Sequence, residues 1–81
     1  MKYYVFAIEQ TLIEGEYNEY SPAVKKYNDF SSAQTYFFTR LGELANSSSH
    51  VYAELKIINS GGAIVKKDSI GEYVNVDAIA E

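Results

Sequence analysis

Hydrophobic and polar positions divide the chain into four strand-like runs and one helical run. Residues 2–9, Lys-Tyr-Tyr-Val-Phe-Ala-Ile-Glu, are apolar on both faces, with Tyr4, Phe6 and Ile8 on one side and Tyr3, Val5 and Ala7 on the other. A strand apolar on both faces is central, or has its second face covered by another subunit. Residues 10–18, with Glu14, Gly15, Glu16 and Asn18, read as an acidic connection. Glu19 to Tyr27 reads as a second strand with Tyr20 and Val24 turned inward. Pro22 places it at an edge or at a bulge, because proline cannot donate a ladder hydrogen bond.

After Asn28-Asp29 the period changes to that of a helix. Ser31 and Gln34 have capping-box spacing. Ala33, Phe37, Leu41 and Leu44 recur as a buried stripe, flanked by Tyr36 and Phe38, with Arg40 and Glu43 toward water. Gly42 costs about 1 kcal/mol relative to alanine within a helix, and is read as a point of close packing on the sheet or as the start of unwinding. Asn46 and three serines stop the helix. His50 to Asn59 is the third strand, with Val51, Ala53, Leu55 and Ile57 on one face and Tyr52, Glu54, Lys56 and Ile58 on the other. Asn59-Ser60-Gly61-Gly62 is a hairpin signal, and Ala63 to Ser69 returns as the fourth strand.

This order predicts an α+β fold, a four-stranded antiparallel sheet in ββαββ order with one helix packed on one face. Residues 1–70 form the single domain. Residues 71–81 are a C-terminal tail, read as a short fifth strand, an arm over a neighbour or a disordered end. One helix covers one face, so Tyr3, Val5, Tyr52 and Ile58 are expected on the uncovered face as a binding surface.

Composition sharpens this picture. The chain has 81 residues, eight of them tyrosine, with one histidine and neither cysteine nor tryptophan. Tyrosine gives rigid contact area with a polar tip, which suits binding better than bond breaking. Without disulfides or thiolate metal ligands, a domain this small gains buried area chiefly by oligomerising. The longest apolar stretch, Tyr3 to Ile8, is far short of a membrane span of about 20 residues, and no cleavage site of the signal-peptide kind follows it. Zero cysteines fit a cytoplasmic location. The net charge of −4 argues against non-specific binding to nucleic acid.

Candidate chemistry is sparse. His50 neighbours Ser47, Ser48 and Ser49 in one loop, which reads as a solvated loop rather than a triad, and there is no Gly-x-Ser-x-Gly elbow. Glu14, Glu16 and Glu19 lack calcium-loop spacing, and Ser60-Gly61-Gly62 lacks the lysine of a phosphate loop. No cofactor and no metal are expected. Lys25-Lys26 and Lys66-Lys67 fall on strands placed at opposite edges, where lysines deter edge-to-edge aggregation. The alternative is an anion site built from Lys25, Lys26, Lys66 and Lys67 with Tyr20 or Tyr27, at a subunit boundary.

The opening Met-Lys-Tyr-Tyr-Val-Phe-Ala-Ile-Glu-Gln, then Ala23-Val24-Lys25-Lys26-Tyr27-Asn28-Asp29, the aromatic helix, and Ile57-Ile58-Asn59-Ser60-Gly61-Gly62 resemble small uncharacterised proteins of bacteriophages and prophages of gut Firmicutes. The resemblance spans roughly residues 1–70. It implies a phage or mobile-element origin and a compact sheet-plus-helix fold, and carries no catalytic residues with it. The expected function is therefore that of a non-catalytic, homo-oligomeric binding protein in the host cytoplasm. It would act against host defence by covering a host protein or by sequestering a nucleotide signal. The alternative is a virion or assembly accessory protein.

Overall fold

The structure is a computed structural model that describes residues 1–22 and 24–76. It contains strands β1 (Tyr3–Ile13), β2 (Glu16–Tyr20) and β3 (Lys25–Tyr27), helix α1 (Phe30–Ala45), and strands β4 (His50–Asn59) and β5 (Ile64–Gly71). The class is α+β, one helix on an open five-stranded antiparallel sheet. The sheet runs β2-β1-β4-β5, and β3 also pairs with β1. The expected second strand is thus two strands sharing one edge, interrupted around Pro22, so the sheet is four strands wide. Residue 23 of that expected strand lies outside the described residues.

β1 is central, as its two apolar faces predict, but it runs four residues past the expected end at Glu9. Those residues are Gln10, Thr11, Leu12 and Ile13, and Glu9, Gln10 and Thr11 are all buried. The expected acidic connection is mostly strand. Ile13 pairs with Glu16, and Glu14 and Gly15 between them have φ of 51° and 80°. Positive φ at both central residues marks the type I′ hairpin, whose twist matches that of its strands.

α1 starts two residues earlier than the capping-box spacing suggests. Asp29 is the N-cap: its carboxylate accepts from the Ser32 amide at 2.8 Å and from the Ser32 hydroxyl at 3.0 Å. An aspartate cap satisfies an orphan amide and suits the positive end of the helix. Gly42 has open space around it, so it does not mediate close packing; its carbonyl accepts from the Asn46 amide and side chain that end the helix.

The core lies between α1 and the sheet: Val5, Ala33, Phe37, Leu44, Ala53, Leu55 and Ile57. Val5 pairs with Ile57 and Ala7 with Leu55. Opposed residues share a face, so Tyr3, Val5, Ala7 and Glu9 all face the helix. Val5 is only 3% exposed, and Tyr3 lies against Phe30 at 5.5 Å between rings. Placing Tyr3 and Val5 on the uncovered face is therefore wrong by one residue of register, which exchanges the two faces of a strand. The helix contributes large side chains to this layer, and the smaller row of β1 fits beneath them.

The chain leaves β5 through Gly71, at φ 69°, where an added Cβ would lie 2.0 Å from the Val51 carbonyl oxygen. Residues 72–76 then cross the uncovered face as a strap rather than forming a fifth strand of the predicted kind. The Val74 amide donates to Gln10 Oε1 at 2.9 Å, and Gln10 Nε2 donates to the Val74 carbonyl at 2.8 Å. Tyr73 sets its ring against Tyr52 and donates its hydroxyl to Glu19. The remainder of the expected arm, residues 77–81, lies outside the described residues.

Candidate binding face and the Glu9 cluster

Two polar constellations sit on opposite faces of the sheet. On the helix side the Glu9 carboxylate is 0% exposed. Arg40 Nη2 donates to both of its oxygens at 2.9 Å, and the Tyr20 hydroxyl donates at 2.9 Å. His50 Nε2 lies 2.8 Å from Oε1, and His50 Nδ1 lies 2.7 Å from the Ser47 hydroxyl. Arg40, expected in water, thus reaches back from α1 to the sheet.

Burial pushes the Glu9 carboxyl upward, but the hydrogen bonds from Arg40, His50 and Tyr20, with the Arg40 charge, outweigh it and hold the group below the ordinary carboxylate value. Tyr20 is raised by burial and then by its bond to Glu9, and Arg40 is raised chiefly by its hydrogen bond to the same carboxylate.

Ser47, His50 and Glu9 follow the order of a nucleophile, base and orienting acid. Their setting is different. Ser47 follows the last turn of α1, its amide donating to the Leu44 carbonyl, at the end of a helix that repels a developing oxyanion. Its hydroxyl also meets Ser49 Oγ at 3.2 Å and accepts from the Ser49 amide at 3.4 Å. What the cluster does chemically is hold one ionised carboxylate as a joint between β1, β2, α1 and β4.

The other face carries Tyr4, Phe6 and Ile8 of β1 beside Ile58, Lys56 and Glu54 of β4. Phe6 is opposite Lys56, which is opposite Lys67; Tyr4 is opposite Ile58 and Lys26. Phe6, Ile8, Glu54, Lys56 and Ile58 line a shallow hollow of ≈ 150 Å³, and Phe6 is 40% exposed. The Glu54 carboxylate lies 3.1 Å from Lys56 and 3.6 Å from Lys67 and accepts from the Tyr52 hydroxyl at 2.6 Å. That bond, then burial and the Glu54 charge, push Tyr52 up to about 12; the same bond and the two lysines hold Glu54 below its ordinary value against the opposing pull of burial.

Of the expected surface residues, Tyr52 and Ile58 lie on this face, while Tyr3 and Val5 belong to the core side. Tyr52 is half-buried under the strap. Tyr4, Phe6, Ile8 and Lys56 take the places assigned to Tyr3 and Val5. The expected anion residues are not brought together within one protomer. Lys25 and Lys26 lie on β3 at one edge, and Lys66 and Lys67 on β5 at the other, about 14 Å apart across three strand spacings. Lys66 sits over the Phe38 ring at 4.8 Å and Lys67 beside Glu54. The Tyr20 hydroxyl is held by Glu9, and Tyr27 leans on Tyr36 at 6.0 Å.

Among the described residues, no group of three or more metal-ligating side chains is placed to hold an ion, and no helix is long and apolar enough to cross a membrane. The fold and face together describe a one-helix α+β protein whose second sheet face, among the described residues, is crossed only by the strap of residues 72–76. Comparisons of this chain with protein families, with curated proteins and with solved structures each found no match.

Proposed function

We propose that this is a non-catalytic binding protein that acts by occupancy, receiving a protein surface on its uncovered sheet face. The observation that supports this reading is the hollow itself: apolar walls of Phe6, Ile8 and Ile58 beside Lys56 and Glu54, on a sheet face that, among the described residues, only the strap of residues 72–76 crosses. Its ≈ 150 Å³ matches one ring or branched side chain. Small-molecule sites run to about 300–1,000 Å³, so covering a protein is favoured over sequestering a nucleotide. The resemblance to phage and prophage proteins suggests a host-defence protein in the cytoplasm as the target.

The test is affinity capture from host lysate with the wild type, Phe6→Glu and, on the opposite side of the molecule, Glu43→Lys. Both substitutions are at exposed positions. A defined partner retained by wild type and Glu43→Lys but lost by Phe6→Glu supports the reading. Equal capture by all three, or fixed stoichiometry in purified virions with no captured host protein, removes it; the latter result would instead establish the assembly role.

A further inference from the structure

We propose that the protein assembles head to tail with copies of itself, the β1–β2 hairpin tip of one protomer filling the hollow of the next. The proposal rests on the reading of that face as a binding surface, and names its occupant.

The hollow specifies what fits. Its walls are apolar, its volume is that of one branched or aromatic side chain, and its surroundings are cationic. Among the described residues, Lys26, Lys56 and Lys67 share the part of the face beyond the strap with one acid, Glu54. That is a surplus of two positive charges on a chain of net charge −4. The complementary ligand is a single apolar anchor flanked by carboxylates.

The hairpin tip carries that chemistry. Ile13 is 51% exposed, and Glu14 and Glu16 beside it are exposed. The pairing of β1 with β4 ends at Thr11 opposite His50, so the tip projects past the central strands. A two-residue turn keeps it narrow and pre-ordered, which lowers the entropy lost on docking. Glu14 holds φ 51°, a conformation that asparagine or glycine adopts more easily. A glutamate thus stands at the apex where the backbone favours another residue.

Geometry excludes the intramolecular version. Ile13 and Phe6 are seven positions apart on one strand, about 23 Å at the rise of a β-strand, so a protomer cannot fill its own hollow. Face-to-face pairing of two copies would set one lysine-rich surface against another. A tip-to-hollow contact is heterologous, and its repetition closes a ring or extends a filament.

The experiment is sedimentation velocity of the wild type from micromolar to millimolar protein, with Ile13→Asp, Phe6→Asp and their equimolar mixture. Both residues are exposed, and circular dichroism checks that each variant folds. The expected result is a wild-type mass rising with concentration beyond a dimer, less steeply in high salt. Each variant alone stays monomeric, and the mixture forms a one-to-one dimer and stops, because one intact tip meets one intact hollow. A strictly monomeric wild type overturns the proposal, as does assembly of Ile13→Asp like the wild type, or a mixture that fails to dimerise. A monomeric wild type whose partner capture is still lost in Phe6→Glu overturns head-to-tail assembly alone. Wild-type assembly with equal capture by all the lysate variants overturns the partner reading and leaves assembly standing.

Discussion

Arg40→Met tests whether the Glu9 cluster stabilises the fold as its geometry implies. Methionine keeps an unbranched apolar stem but removes the one permanent cation and two of the hydrogen bonds on a carboxylate that is 0% exposed. Breaking a buried ion pair from one side costs about 3–5 kcal/mol, because the remaining charge is left uncompensated. The Arg40 side chain is 28% exposed, so water replaces part of what is lost, and we take the lower end, about 3 kcal/mol. For a domain of this size each kcal/mol moves the melting midpoint by roughly 4–8 °C, giving a fall of about 12–24 °C. Total stability of roughly 4–12 kcal/mol for this length leaves the variant folded in the cold, so it can be measured.

The pH dependence separates this account from a general packing defect. In the wild type Glu9 titrates below its ordinary value of 4.5. A depressed carboxylate contributes stability that is present above the unfolded value and lost as pH falls through the folded one. In Arg40→Met burial, the largest influence on Glu9, is opposed only by His50 and Tyr20, and the folded value rises. A raised carboxylate destabilises at neutral pH and is relieved by acid. Urea denaturation at pH 7 and pH 4 should therefore show the gap between wild type and variant narrowing with acid. The groups facing this carboxylate are Arg40, His50 and Tyr20, with Glu43 beside Arg40. In a Glu9→Gln background the pH dependence of the gap should vanish. A cost below about 1 kcal/mol, the size of an exposed pair, or a gap unchanged by pH would refute the reasoning.

Three further outcomes follow from single positions. Gly71→Ala drives a Cβ into the Val51 carbonyl at φ 69° and should dislodge the strap at a cost of about 1–3 kcal/mol, read as faster proteolysis within residues 72–76 and loss of near-ultraviolet signal from the Tyr52–Tyr73 pair. Glu14→Asn relieves a left-handed glutamate in a type I′ turn and should raise stability by about 0.5–1 kcal/mol in urea melts, while weakening self-association by removing a tip charge; a destabilised variant would contradict the turn geometry. Spectrophotometric titration should find one tyrosine, lost in Tyr52→Phe, ionising near 12. Its raised value contributes stability that is lost as pH rises from the ordinary tyrosine range through about 12.

Much of the fold is visible in local chemistry. The double-sided apolar run of β1, the turn glycines after β4 and the 3.6-residue stripe of α1 each report on their own segment. What escapes depends on partners distant in the chain. Glu9 reads as the end of a strand, and Gln10 and Thr11 as the start of a loop, because polar residues end a strand unless something satisfies them. Their partners are Arg40 thirty-one residues on and Val74 sixty-four on, which no local pattern contains. The face assignment of β1 fails for a related reason. Its two rows, Tyr3-Val5-Ala7 and Tyr4-Phe6-Ile8, are nearly equivalent by hydrophobicity, and the bulk of Phe37 and Leu44 decides in favour of the smaller row. The N-cap is legible in the sequence: Asp29 brings a carboxylate to the helix start where Ser31 offers only a neutral hydroxyl, and the capping-box spacing at Ser31 and Gln34 competes with it.

The same distinction bears on the proposed binding face. Glu9 has its acceptor positions filled by Arg40, Tyr20 and His50, and a fully satisfied buried charge gains nothing from a newcomer and loses much if disturbed. Glu54 is shared between Lys56 and Lys67, and Lys26 on the same face adds a further cation. This surplus lies beside apolar surface that water covers poorly, so an acidic partner with one apolar side chain improves both terms at once. Of the two constellations, the one that looks more like an active site is the one already complete, and the open, imbalanced face is where binding free energy remains to be gained.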